Sequence, residues 1–374
     1  MGPFRLVVCS ALVAATASTA ASYGMASEGP ATPAAPSTAR AWSGYPGLNG
    51  SVEAVAWDSQ GQMYVGGAFT RSGRQQLNFI ARWDGSAWQP VGAGFDSAVL
   101  DLAFDDQDRL YAVGFFRKSG QVTANSVAMW DGSAWNPLGA GLYKRAYSVA
   151  IDDTGHVIVG GGFLRSGATP MRRLARWDGA TWSEVGGGVN SRVLDVEVDD
   201  RGGIVIGGIF SSVGSSDIAH LARWNGQDWE GFDSGPNGDV TDIAVVDGQM
   251  YVVGRFSQVN GLRSRHVARW DGAWHSLGRG ADDPMDAVAV VDSQEVWVGG
   301  VSRWAVPRGI SVLAVWDGQN WTTRKTSQGY GPSKSGGFVT LLEVGPDGSL
   351  FAGGFFDRVE GVRVRGLARY GPPA

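Results

Sequence analysis

The chain has 374 residues, with 31 Lys and Arg against 36 Asp and Glu, for a formal net charge of -5. So small a charge excludes nucleic acid and an anionic membrane as default partners. The 43% of hydrophobic residues is enough for a folded core, and 57 glycines without collagen periodicity suit a fold of many tight turns.

Arg5 precedes an apolar run from Leu6 to about Ala15, and small residues follow through Ala17, Ser18, Ala20 and Ala21. This is the order of a secretory signal peptide, assigned to residues 1–21. The run is too short for a membrane span. The expected location is the periplasm, the cell surface or the exterior. Residues 22–40 are rich in Ala, Pro, Ser and Thr and read as a disordered linker. The single cysteine, Cys9, lies in the signal, so the mature chain would form no disulfide and no thiolate metal site.

From residue 41 to 374 the chain is periodic. A tryptophan followed by Asp-Gly or Asn-Gly occurs at Trp83, Trp130, Trp177, Trp224, Trp270 and Trp316, with a degenerate copy at Tyr370. The steps are 47, 47, 47, 46, 46 and 54 residues. A fixed long period signals one small unit repeated. In the first unit, Val52 to Trp57, Met63 to Phe69, Phe79 to Trp83 and Trp88 to Val91 are short apolar runs separated by Gly and Asp turns. Such runs predict antiparallel strands. Four strands in about 47 residues are one blade of a β-propeller.

First strands recur near Val52, Val99, Ala146, Val193, Val240, Met285 and Val339, which predicts seven blades. The last unit lacks its fourth strand. Ala41-Trp42-Ser43-Gly44 resembles the fourth strand that begins Ala87-Trp88, so an N-terminal strand at about 41–46 should complete the C-terminal blade. Closure of that kind removes two open sheet edges. The repeated tryptophans and the phenylalanines at Phe69, Phe116, Phe163, Phe210, Phe256 and Phe356 are expected to pack between blades.

The strings Tyr64-Val-Gly-Gly-Ala-Phe69 and Ile80-Ala-Arg-Trp-Asp-Gly85 resemble the kelch-like repeats of galactose-oxidase central domains. They are closer still to exported cell-surface propellers similar to the fungal cortical polarity marker. The resemblance covers about 41–374 and implies the fold and an exported location, without an activity. The Gly-His partner of true WD40 repeats does not recur with the Trp-Asp-Gly period, occurring once at Gly155-His156.

Sorting loops by face separates the charges. First-to-second and third-to-fourth turns carry carboxylates such as Asp58, Asp84, Asp105, Asp152, Asp178 and Asp199. Second-to-third and fourth-to-first loops carry cations such as Arg71, Arg117, Lys118, Lys144, Arg145 and Arg165. One acidic and one basic face are therefore expected. Asp-Gly closes hairpins, whereas no turn requires arginine.

The sixth unit departs most from the repeat. Ser302 replaces the repeated Phe, and the step from Trp321 to Val339 is 18 residues against 11 from Trp88 to Val99. Departures from a scaffold rule mark candidate sites. Arg303, Trp304, Arg308, Arg324, Lys325, Tyr330 and Lys334 are the candidate ligand-binding residues there.

Asp101, Asp195 and Asp242 fall at equivalent first-strand positions facing the central channel. They are the candidate catalytic carboxylates, or ligands for a hard cation such as Ca2+. No Gly-x-Ser-x-Gly, phosphate loop or calcium loop occurs, and His220 and His266 share a repeat position without forming a metal pair. No metal site and no cofactor is expected. The sequence supports an exported, monomeric, non-catalytic module binding an anionic glycan, peptide or protein ligand at the basic face. The competing readings are a channel-mouth hydrolase, lyase or cyclase using the three aspartates, and a structural surface or adhesion component.

Overall fold

The computed structural model describes residues 40–292, 295–300, 312–327 and 337–372. The fold is all-β, with seven blades of four antiparallel strands arranged as a propeller and no helix among the described residues. In the first blade the strands are Val52–Trp57, Met63–Gly67, Ile80–Trp83 and Trp88–Pro90, hydrogen-bonded in that order. The last blade comprises Phe338–Val344, Leu350–Phe355 and Leu367–Gly371, with Ala41–Gly44 on its outer edge. Trp42 lies opposite Tyr370, as Trp88 lies opposite Trp83 in the first blade. The ring therefore closes through the N-terminal strand. Arg40, placed by sequence at the end of the linker, sits 3.3 Å from Glu295 of the sixth blade. The rest of the linker and the signal segment lie outside the described residues.

The Trp-Asp-Gly string has one task per residue. Asp84 Oδ1 accepts the N–H groups of Ser86 and Ala87 at 2.8 and 2.7 Å, which sets the turn. Gly85 takes φ +96°, a left-handed conformation that a side chain disfavours. The tryptophan packs against the first residue of the outer strand, with Trp130 and Trp135 centroids 5.5 Å apart. The outer tryptophan also hydrogen-bonds to the preceding blade. Trp135 Nε1 donates to Val91 O at 3.0 Å, Trp182 to Leu138 O at 2.8 Å and Trp321 to Leu277 O at 2.8 Å.

Every first strand carries a β-bulge at the same place. The extra residues are Glu53, Leu100, Tyr147, Leu194, Thr241, Asp286 and Thr340. A bulge bends the strand and disrupts the ladder locally. The second-strand glycine opposite it has no room for a side chain: a Cβ on Gly114 would lie 2.2 Å from Ala98 O. This contact accounts for the repeated glycine before each Phe.

The core is divided among the blade interfaces. One cluster joins Tyr64 and Ile80 of the first blade to Leu102, Leu110, Phe116 and Trp135 of the second, and its counterparts continue round the ring. The repeated phenylalanines are buried as expected. One sequence expectation needs refinement. The polar second-to-third loop holds a further two-stranded hairpin in several blades, as at Lys118–Ser119 with Val122–Thr123. The seventh-blade hairpin also pairs with the long outer strand of the sixth, where Thr326 and Ser327 face Val359 and Arg358.

Candidate functional site

The first strands surround a central cavity of about 1130 Å³ that opens toward Asp58, Asp106 and Asp153 of the acidic face. Asp101, Asp195 and Asp242 all line it, so the fold gathers the three candidate carboxylates into one space. Glu53, Glu197, Asp286 and Glu343 line it too. Sequence reading missed these four. Glu53 and Asp286 are bulge residues, and a bulge turns a side chain that strict alternation would place elsewhere.

Each candidate aspartate is engaged with the next blade. Asp101 Oδ2 accepts Val149 N–H at 2.7 Å, Asp195 Oδ2 accepts Ile243 N–H at 2.9 Å, and Asp242 Oδ2 accepts Val288 N–H at 2.7 Å. Ser148, at the same repeat position, accepts Val196 N–H at 3.1 Å and donates to Asp195 at 3.0 Å. These four residues bind blades two to six into a continuous hub. Ala54, Ala287 and Leu341 occupy the position elsewhere.

Burial pushes the Asp101 carboxyl up to about 7, against the opposing Val149 N–H, with the Asp195 charge adding to the rise. Burial likewise raises Asp195 to about 6 and Glu343 to about 7. Asp242 and Glu197 are also raised well above their ordinary range, by burial and then by the Asp195 charge. Asp101, Asp195 and Glu343 can exchange protons near neutrality. Among the described residues no three His, Cys, Asp or Glu side chains converge as a metal site. His220 lies 3.6 Å from Asp239, and His266 Nδ1 is 3.1 Å from Gly254 O.

Several aspartates of the acidic face are satisfied within their own turns. Asp84, Asp131 and Asp178 are held below the usual carboxylate range by N–H and side-chain donors of their own turns, Asp178 at about 2. Third-strand arginines reach the first turns: Arg223 pairs with Asp199, and Arg369 with Asp347 at 2.7 Å.

The basic face is divided. Toward the fifth and sixth blades several of its cations are paired, Arg255 with Asp286 at 3.7 Å, Arg265 with Asp282 at 3.8 Å and Arg324 with Glu360 at 3.6 Å, while Arg263 and Lys325 are exposed and make no ion pair among the described residues. Over blades two to four, Arg117, Lys118, Lys144, Arg145, Arg165 and Arg192 are exposed and make no ion pair among the described residues. Phe115 and Tyr143 stand among them, 37% and 39% exposed. The Arg145 guanidinium lies 4.5 Å from the Phe115 ring centroid, and that of Arg165 lies 4.4 Å from Tyr143.

Of the sixth-unit candidates, Arg324 also lies 5.8 Å from the Trp297 ring, and Lys325 is exposed. Arg303, Trp304, Arg308, Tyr330 and Lys334 lie outside the described residues. The aromatic and cationic cluster at blades two and three was missed. Its sequence signal was a tyrosine at 143, where the period places Asn49, Asp96, Asn190 and Asn237.

The geometry defines a β-propeller with an acidic channel and a basic, partly aromatic face. No protein-family model matches the chain, and no curated protein matches it. Solved structures do. The extracellular domain of the hybrid two component system BT4673 from B. thetaiotaomicron is similar at TM-score 0.56 and 11% identity over 86% of this chain. This chain spans 38% of that one. The WD40 β-propeller domain of Doa1 is similar at TM-score 0.55 and 13% identity, over 87% of this chain and 94% of that one. YCF48 bound to D1 peptide is similar at TM-score 0.55 and 13% identity, over 92% of this chain and 98% of that one. At such identities the likeness defines the fold.

Proposed function

We propose that this chain is an exported, non-catalytic binding propeller whose basic face takes an anionic polymer, either a glycan or a polypeptide. The observation that carries the reading is the row of exposed, unpaired cations over blades two to four beside exposed aromatic rings. Cations left without partners attract anionic groups and steer their approach. The signal-like N-terminus and the resemblance to exported kelch-like propellers support the location. The extracellular domain of BT4673 supports the location, and YCF48 bound to D1 peptide supports peptide binding by a chain of this shape.

Calorimetric titration with poly-L-glutamate and with polygalacturonate tests the reading at low and moderate salt. At least one should bind, more weakly as salt rises. Reversing Arg117, Lys118, Lys144, Arg145 and Arg165 to Glu should abolish binding, while Asn at 101, 195 and 242 should leave it intact. Failure of both polymers to bind, or binding that survives charge reversal, removes the proposal.

A channel-mouth enzyme is the second reading, favoured by the near-neutral carboxyls of Asp101 and Glu343. An activity lost in Asp101→Asn with the melting temperature unchanged would support it.

A further inference from the structure

We infer that blades two and three form a docking site for an extended acidic peptide with apolar side chains, centred on Phe115, Tyr143, Tyr147 and Leu164 and rimmed by Arg145 and Arg165. This rests on the basic face being the binding face.

The first support is a broken scaffold rule. Among the described residues, in blades one, two, four and five an Asn or Asp of the fourth-to-first loop ties down the hairpin loop. Asn49 Oδ1 accepts Thr70 and Arg71 N–H at 2.8 and 2.9 Å, and Asp96 Oδ1 accepts Arg117 and Lys118 N–H at 2.7 and 3.0 Å. Asn190 and Asn237 repeat the arrangement with Ser211–Ser212 and Ser257–Gln258. In the third blade the position is Tyr143. Its backbone makes the matching bond, Tyr143 N–H to Arg165 O at 2.9 Å, but its side chain supplies no such acceptor. Instead the ring is exposed beside the Arg165 guanidinium. Giving up a structural tie for an exposed aromatic is a departure expected at binding sites.

The second support is the shape of the patch. Phe115 of blade two meets Tyr147 of blade three edge to face at 6.2 Å. Gly162 stands where adjacent blades have Phe115 and Ile209, and a Cβ there would lie 3.6 Å from the Tyr147 ring. The glycine therefore leaves the flank of that ring uncovered. Leu164 is 41% exposed next to Arg165 in the chain, and Val122 is 42% exposed on the second-blade hairpin.

The chemistry selects the ligand. Unpaired guanidinium groups recognise carboxylates with paired, charge-assisted hydrogen bonds. Exposed Leu and Val offer nothing to the hydroxyls of a sugar but bury well against apolar side chains. Carboxylates and apolar groups alternating on one flexible polymer describe an acidic peptide rather than a uronate chain.

Fluorescence anisotropy can test this with three labelled probes: a random Glu:Tyr copolymer, poly-L-glutamate of matched length, and polygalacturonate. The copolymer should bind about tenfold tighter than poly-L-glutamate, and Phe115→Ala and Leu164→Ser should each weaken it about fivefold. Thermal melts that match the parent chain show that the variants are folded, and Leu164→Ser serves alone if Phe115→Ala is not. If polygalacturonate binds tightest, the site is a glycan site and the inference fails. Equal binding of both polypeptides, insensitive to the two substitutions, also overturns it but leaves the basic-face reading standing. Absence of any binding removes both. A salt-sensitive self-association of the free chain, lost in Arg145→Glu, would assign the patch to a second copy and equally overturn it.

Discussion

The Asp101 carboxylate accepts the backbone N–H of Val149 at 2.7 Å, so a side chain of one blade completes the backbone of the next. Asp195 and Asp242 do the same for blades five and six. Four first-strand residues, Asp101, Ser148, Asp195 and Asp242, thus bridge four of the seven blade junctions. Their shared cavity makes those carboxyls hard to ionise.

The pH dependence of stability follows from that. Asp101 and Glu343 lie at about 7 and Asp195 at about 6, all above their unfolded values. The folded protein then holds protons that the unfolded chain releases. This contribution is fully present below about pH 4 and is lost as pH rises through 6 to 7. The acidic-face aspartates, with lowered values, act oppositely and weaken the fold only below about pH 4. Denaturant midpoints should peak near pH 5 and fall by pH 8. Asn at 101, 195 and 242 together should flatten that decline.

Two tryptophans at equivalent positions should respond differently to Phe. Trp135 Nε1 donates to Val91 O at 3.0 Å, whereas the buried Nε1 of Trp42 has no partner among the described residues. Trp135→Phe removes one of the two hydrogen bonds to Val91 O, which keeps the Gly94 N–H at 3.1 Å, and should cost about 0.5 to 1.5 kcal/mol beyond the lost ring area. Trp42→Phe removes an unsatisfied donor, so its net cost should be smaller by about that amount. Equal losses in urea titrations would count against the assignment.

Tyr143→Asn restores the tie found in four other blades, to the N–H groups of Leu164 and Arg165. Stability should rise by about 0.5 to 1 kcal/mol, the net value of an ordinary hydrogen bond. Binding of the Glu:Tyr copolymer should fall. A gain in stability bought with lost binding is the signature of a site built against its scaffold; unchanged binding would separate Tyr143 from the site.

Ring closure gives a sharp truncation boundary. A chain beginning at Arg40 retains Ala41–Gly44 and the Trp42 contacts to Trp297 and Tyr370 at 5.8 and 5.0 Å. It should melt like the full chain. One beginning at Pro46 loses the outer strand and opens a sheet edge. It should melt several degrees lower and aggregate, as light scattering during the melt would reveal.

The candidate residues divide by how much of their placement is local. Asp84 and Gly85 were legible as a turn because a turn is decided within six residues. Asp101, Asp195 and Asp242 were legible as channel-facing because strand alternation and the period fix which side they take. Their bonds were not legible, since Val149, Ile243 and Val288 belong to the next blade. Glu53 and Asp286 were hidden by the bulge, which breaks alternation without a sequence mark. Tyr143 did carry a mark, the missing Asn or Asp. Its meaning depended on seeing what Asn49 and Asp96 do.

By itself the sequence determined the blade number, the four strands in each and the closing strand at Trp42. All of these follow from the period and from turn chemistry, which act over short distances along the chain. Only the tertiary structure decided which charges are spent. It pairs Arg223 with Asp199 and Asp101 with Val149, and leaves Arg145 and Arg165 beside Phe115 and Tyr143 with no carboxylate partner among the described residues. Whether a charged group is satisfied depends on what the neighbouring blade brings within hydrogen-bond reach, and that distance exists only after the ring has closed.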